Sequence, residues 1–308
     1  MIRIAHFTDI HFTADPSQIA WRDLLSKRVL GWMNLALFRR HHSFGDAAAI
    51  VAALVQDLQE LKPDHIVSTG DLTGLSLRSE FAAARSALAP ILDLENITGI
   101  PGNHDVYVRS AVREQLYESS FGQWSRTDLT PDEFPAPLRA SYPYPLVRLL
   151  NENVALLCLR DVHPNPLHDS SGRVGEPQLE LLELLLKDPR IALRTKIVAL
   201  HCGIHRAGGA LDRRFHRLRD GRRLLSIAAA GKVSLLIHGH THAPFVLTGR
   251  GPAAVAFANP GSLTSSRHSQ AYHIYRIESG TIEVAARRYH AIARKFVPWH
   301  DAPQAGRV

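Results

Sequence analysis

The sequence predicts an α/β fold in which sheets pack on one another with helices outside, and three observations predict it. Apolar runs of strand length alternate with amphipathic stretches of helical length. Short polar clusters close several of the apolar runs, the position functional residues take at strand ends in such folds. The last three strand-like runs lack helices between them. With 308 residues, the chain is long enough for a large core and near the upper size for one compact domain. Hydrophobic residues at 45% and charged residues at 21% exclude a disordered or fibrous chain.

Strands are predicted over 2–8, 65–69, 97–100, 154–159, 196–200, 235–237, 254–258, 272–277 and 282–286. Helices are predicted over 43–61, 79–91, 176–187 and 220–230. Pro177 suits the first turn of the third, and Asp220 and Gly231 suit the two ends of the fourth. Residues 117–145 are rich in proline and polar side chains without a clear period, and read as a long surface excursion that could wall a substrate site. Residues 1–290 form the expected domain, with an insertion at 17–42 and a C-terminal tail at 291–308.

Cys158 and Cys202 each lie in or beside a core strand, so no disulfide framework is expected. The N-terminus runs straight into a strand pattern without a charged leader or cleavage site, which points to a cytoplasmic location. A net charge of +7 favours anionic partners, and nucleotide, nucleic acid, phospholipid and anionic membrane all satisfy it.

The polar clusters carry the chemistry. They read Asp9-Ile10-His11, Gly70-Asp71, Gly102-Asn103-His104-Asp105, His201 and Gly239-His240-Thr241-His242. Carboxylate, imidazole and amide are the donor types that hold divalent cations against a phosphate, so the pattern predicts a dinuclear metal hydrolase. Residues two apart in a strand point the same way, which would converge Asp9 with His11 and His240 with His242. Gly70 allows a sharp turn that sends Asp71 inward, where its two oxygens could bridge two metals. Asn103 adds a donor without adding charge.

In order and spacing these blocks resemble the signature of the calcineurin-like metallophosphoesterase superfamily: D-x-H, G-D, G-N-H-D/E, a lone H and G-H-x-H. The resemblance implies a four-layer sandwich, two mixed β-sheets face to face with helices outside. It implies one metal on Asp9, His11, Asp71 and His242 and a second on Asp71, Asn103, His201 and His240. It also places His104 over the substrate as the catalytic group, donating to a phosphate oxygen or protonating the leaving group, with Asp105 fixing its tautomer. Asn259-Pro260-Gly261-Ser262 resembles a family segment that shapes the pocket floor, and reads equally as a plain turn. The chain departs from many relatives at Cys202 and Gly203, where those carry a second His or a Pro. Cys202 is read as packing, with a soft thiolate ligand as the alternative.

The donor set suits Mn²⁺, Fe²⁺/Fe³⁺ or Zn²⁺, with Mn²⁺ expected from the resemblance. Two such cations would activate a water for in-line attack on phosphorus and clamp the phosphoryl oxygens. For substrate, residues 21–42 mix Trp21, Leu24, Leu25, Val29, Leu30, Trp32 and Met33 with Arg22, Lys27, Arg28, Arg39 and Arg40. Such a segment is too interrupted by charge to span a bilayer; it either lies in a membrane interface, at the inner face of a membrane, or packs on the domain. The insertion resembles those of bacterial metallophosphoesterases that include enzymes cleaving UDP-diacylglucosamine. Arg160, His163 and Arg206 are the candidate substrate-binding residues, the last in an arginine-rich stretch from 206 to 223. Expected substrates are a phosphodiester or pyrophosphate of a small molecule or lipid, such as a cyclic nucleotide or a glycerophosphodiester. A metal-dependent nuclease and a non-catalytic metal-bound scaffold are the alternatives.

Overall fold

The computed structural model describes residues 1–13, 28, 46–249, 255–302 and 306–307. Its strands are β1 (Ile2–Phe7), β2 (His65–Ser68), β3 (Ile97–Gly99), β4 (Leu146–Asn151), β5 (Val154–Cys158), β6 (Thr195–Ala199), β7 (Val233–Ile237), β8 (Phe245–Leu247), β9 (Ala256–Asn259), β10 (Ala271–Glu278), β11 (Thr281–His290), β12 (Lys295–Pro298) and β13 (Gly306–Arg307). They form two mixed sheets. The first runs β12-β11-β10-β1-β2-β3, with β13 also on β11, and the second runs β4-β5-β6-β7-β9-β8. Within each sheet the central strands are parallel, β1 to β2 to β3 in one and β5 to β6 to β7 to β9 in the other.

Alternation along the strands builds the layers. In β1, Ile2 and Ile4 face the second sheet and pack with Val67, Leu156, Ile197, Ile237 and Tyr275. Ala5 and Phe7 face the other way, onto helices α1 (Ala47–Leu61) and α2 (Arg78–Ala87) through Ile50, Leu54, Leu58 and Phe81. The outer face of the second sheet is covered by α3 (Glu176–Leu185) and α4 (Gly221–Ala230), where Leu179, Leu182, Leu224 and Ile227 meet Val198 and Leu236. The result is helix, sheet, sheet, helix. Strands buried on both faces read as continuous apolar runs, which is why β5, β6 and β7 were legible in the sequence.

Several expectations change. The helix expected over 79–91 breaks after Ala87 into a separate turn, Ala89–Leu92, because Pro90 has no N–H to continue it. Residues 117–145 are not a surface excursion. They contribute a short helix, Leu116–Phe121, and bury Phe121, Trp124, Leu129 and Phe134 in the core, with Trp124 Nε1 donating to the Leu92 carbonyl at 2.9 Å. The segment 291–308 is not a free tail in its described part: β12 and β13 both pair antiparallel with β11.

The insertion at 17–42 and the span 21–42 lie outside the described residues, apart from Arg28. Arg28 is buried, and its Nε and Nη2 donate to the carbonyls of Leu75 and Ser76 at 3.0 and 2.6 Å. One charge of the expected basic face therefore points into the protein. Among the described residues no helix is long and apolar enough to cross a membrane.

Because Trp124 is fully enclosed, Trp124→Ala is expected to lower unfolding free energy by about 3–5 kcal/mol in a denaturant titration with unchanged m-value. A value below about 0.5 kcal/mol, typical of an exposed loop residue, would contradict the packing of 117–145.

Candidate metal centre

The polar clusters follow the carboxyl ends of parallel strands in both sheets, where an open α/β arrangement leaves a crevice. Asp9 and His11 follow β1, Asp71 follows β2 and Asn103 follows β3. His201 follows β6, and His240 and His242 follow β7. The side chains do not converge through strand alternation, since each lies beyond its strand. They converge through the left-handed backbone region: φ is 56° at Asp9, 52° at His11, 55° at Asp71, 69° at His240 and 58° at His242. Non-glycine residues enter that region at a cost and only where surrounding structure holds them. Here the loops hold one another, with Asp9 N donating to the Gly70 carbonyl and His11 N to the Asp71 carbonyl, both at 2.9 Å.

Glycine serves close approach more than turning. A Cβ on Gly102 would stand 2.1 Å from Asp71 Oδ1, and one on Gly239 would stand 2.5 Å from Asp9 Oδ2. Asn259 ties the β7 loop down by donating to the Gly239 carbonyl and Thr241 Oγ1, both at 2.7 Å. Ser262 Oγ donates to the Asp9 carbonyl at 2.8 Å, so the Asn259 to Ser262 segment pins loops from both sheets.

The donors form two groups about Asp71. Asp9 Oδ1 lies 3.1 Å from His242 Nε2 and 3.5 Å from His11 Nε2, and Asp71 Oδ2 lies 3.7 Å from His11 Nε2. On the other side Asp71 Oδ2 lies 3.4 Å from His201 Nε2, which is 2.9 Å from Asn103 Oδ1; the His240 ring is 5.1 Å from the His201 ring. Asp71 Oδ1 is taken by the His104 N–H at 2.8 Å, so only Oδ2 faces both groups. A carboxylate shared between two cations would therefore present Oδ2 to both, rather than one oxygen to each.

These donors fit divalent cations. Among the described residues Asp9 Oδ1 is buried without a hydrogen-bond partner, while the Nε2 atoms of His11 and His242 approach to 2.9 Å. The outward ring nitrogens are already oriented: His201 Nδ1 bonds the Thr69 carbonyl at 2.7 Å and His240 Nε2 the His216 carbonyl at 3.0 Å, leaving the other nitrogen of each ring for a ligand bond. Asp161 holds the His201 loop by accepting the His201 and Cys202 N–H groups at 2.9 and 2.8 Å. Cys202 packs with Val106 and Val162. Its sulfur is near His201 and His240, but burial and the Asp161 charge hold the thiol well above its ordinary pKa.

Burial by itself would raise the carboxyls of Asp9 and Asp71. The neighbouring rings reverse this, His242 and His11 acting on Asp9 and His201 and His104 on Asp71, and both carboxyls lie well below the usual range. Burial likewise disfavours the His201 cation, yet Asp71 outweighs it and pushes the ring up to about 10. His11 is opposed by burial and raised by Asp9 and Asp71. His240 is kept neutral by burial and by His216.

His104 differs from expectation in its support. Its Nδ1 donates to the Gly74 carbonyl at 2.6 Å, so that carbonyl sets the tautomer. The Asp105 carboxylate instead accepts from Thr73 N and Gly102 N, both at 2.9 Å, and ties the two loops beneath the ring. Burial brings His104 down to about 4, so the ring is neutral with an Nε2 lone pair to offer. Of the substrate-binding candidates, Arg160 is engaged by Glu118 at 2.8 Å, His163 is half-buried near Arg219, and Arg206 sits in a hairpin turn. Among the described residues none of the three touches the donor set. Sequence reasoning passed over His216, whose ring stacks on His240, and Asp212, whose carboxylate bonds His216; neither belongs to a motif.

The fold is similar to that of a dimetal phosphatase from Danio rerio, at 14% identity over 96% of this chain and 98% of that one, with a TM-score of 0.64. It is also similar to GAP50, the anchor in the inner membrane complex of Plasmodium, at 12% identity over 100% and 87% of the two chains, with a TM-score of 0.51. At such identities the likeness concerns the fold. No curated protein matches the sequence. The calcineurin-like phosphoesterase family, however, matches residues 2–244, a span that contains every one of the signature blocks now seen converging between the two sheets, and the chain belongs to that family of phosphoester hydrolases.

Proposed function

We propose that the protein is a dinuclear metal-dependent hydrolase of a phosphodiester or pyrophosphate bond in a small-molecule or lipid substrate. The observation that carries this is Asp71 Oδ2, which faces His11 on one side and His201 on the other while its partner oxygen is spent on the His104 N–H. Asp9, His11, Asp71 and His242 would hold one cation, and Asp71, Asn103, His201 and His240 the other, with Mn²⁺ first and Fe or Zn as alternatives. Bound there, the pair of cations supplies an activated water and neutralises charge on the phosphoryl oxygens.

The chain's own residues complete the site. His104, placed against His11 at 4.9 Å between ring centroids and stacked on Tyr107, offers Nε2 on the substrate side. An anionic phosphoester beside that ring favours its protonated form, which then donates to the phosphate or the departing oxygen.

For the substrate, the loop after His201 supports a molecule with both phosphate and apolar parts. Leu211 and Phe215 are 53% and 59% exposed on the same loop as Arg206, Arg213, Arg214 and Arg217, and Phe215 directly precedes His216 beside the donor set. Guanidinium groups suit phosphate, and exposed apolar side chains suit acyl or aromatic groups.

With Mn²⁺ added, hydrolysis of bis-p-nitrophenyl phosphate is expected, and Asp71→Ala or Asn103→Ala should each lower kcat/KM by more than about 100-fold, beyond what outer-shell changes cost. Wild-type inactivity across Mn²⁺, Fe²⁺ and Zn²⁺ would refute the reading. Replacing Leu211 and Phe215 together by serine should cut turnover of a diacyl phosphodiester by about 10-fold or more while sparing bis-p-nitrophenyl phosphate. Equal effects on both substrates would remove the lipid reading.

Metal uptake has a defined pH dependence. His201, pushed up to about 10, carries a proton near pH 7 in the cation-free site that a metal must displace, and His11 is shifted in the same direction, so affinity should rise as pH climbs toward about 10. Calorimetry in buffers of different ionisation enthalpy should show release of about one proton or more on loading, and zero release would contradict the charge balance described.

A further inference from the structure

The loop between His201 and α4 does more than border the crevice. Its residue His216 stacks on His240, with ring centroids 3.9 Å apart and planes inclined by 28°. Its carbonyl accepts the hydrogen bond from His240 Nε2 at 3.0 Å, which fixes the tautomer that leaves Nδ1 to bind a cation. His216 is itself tethered: its Nδ1 is 2.5 Å from Oδ2 of Asp212. Asp212 is buried, its N–H donates to the Ile204 carbonyl at 3.0 Å, and its Oδ1 accepts from Arg213 N at 2.7 Å. The loop is anchored at its far end, where Leu218 N donates to Gly203 O and Arg219 N to Gly172 O, both at 2.9 Å.

We propose that Asp212 and His216 are positioning residues that clamp His240, so that occupancy of the second cation site depends on this loop while the first site does not. The separation follows from where the contacts fall. His240 groups with His201, whereas Asp9, His11, Asp71 and His242 form the other cluster, and among the described donor residues His216 is bonded and stacked to His240. Outer partners that set the tautomer and cover the face of a ligating imidazole govern how strongly it binds. The loop that carries exposed Arg213, Arg214 and Phe215 is thus mechanically joined to a ligand, so the segment proposed as substrate surface would also govern metal loading.

This inference rests on the dinuclear reading, and one experiment separates the two. Equilibrium dialysis of the full chain against Mn²⁺, followed by elemental analysis, gives the affinities of the two equivalents. His216→Ala and Asp212→Ala are expected to weaken the second equivalent by about 10- to 100-fold and leave the first unchanged. His216→Phe, which keeps a ring over His240, should recover part of the loss. If His216→Ala fails to fold by circular dichroism, Asp212→Ala and His216→Phe carry the test. The clamp is overturned if the variants bind both equivalents as wild type does, if both equivalents weaken alike, or if the phenylalanine restores nothing. A wild-type chain that takes up fewer than two equivalents would instead overturn the dinuclear reading.

Discussion

Two carboxylates, Asp9 and Asp71, are buried at the centre of the molecule with no arginine or lysine paired to either among the described residues. An uncompensated buried charge costs several kcal/mol, so something positive must balance them. The side chains in reach are imidazoles, which can supply that balance only by holding protons. Protons and divalent cations therefore compete for one set of atoms. The arrangement of hydrogen bonds behind the rings, Thr69 on His201 and His216 on His240, leaves the inner nitrogens open to either.

The fold explains why the charges can be assembled at all. Parallel strands in both sheets end at the same crevice, so the donors that follow β1, β2, β3, β6 and β7 reach one point within five residues of their strand ends. Five of the donor residues take left-handed backbone there, at roughly 1–3 kcal/mol each where the region is unfavourable. Cross-loop hydrogen bonds through Asp9, His11, Asn259 and Ser262 hold the conformation, and the sandwich core supplies the stability against which that strain is set.

Much of this was legible from residues alone, for a physical reason. Strands such as β5 and β6 are buried on both faces and therefore show as apolar runs, and the donors stand just past them. β4 was missed because Arg148 and Asn151 interrupt its pattern on a half-exposed edge, and β12 because its four residues carry little signal. Residues 117–145 misled because their prolines and polar groups describe the backbone path, whereas Trp124 and Phe134 describe where the side chains go. At the site, the seven donors could be identified but not their backbone. Sequence spacing suggests strand alternation for Asp9 and His11, and only the left-handed φ values show how they converge. The support of His104 by Gly74, rather than by Asp105, uses a backbone carbonyl, and carbonyls leave no mark in a sequence.

Selectivity must come from outside the donor set. Asp, His and Asn around two cations recognise any phosphoryl group, since they meet only its oxygens. What distinguishes one ester from another has to contact the rest of the molecule. Residues 203–219, which follow His201 and carry exposed Leu211 and Phe215 among arginines, are the segment we propose for that contact. On the opposite side, Arg28 of the insertion is bonded to the carbonyls of Leu75 and Ser76, next to the Gly74 that orients His104. The 203–219 loop and Arg28 are thus both attached to residues that hold imidazoles of the centre. If the 203–219 loop contacts substrate as proposed, a change there that alters substrate fit would also be felt by His240, so specificity and metal loading would be coupled.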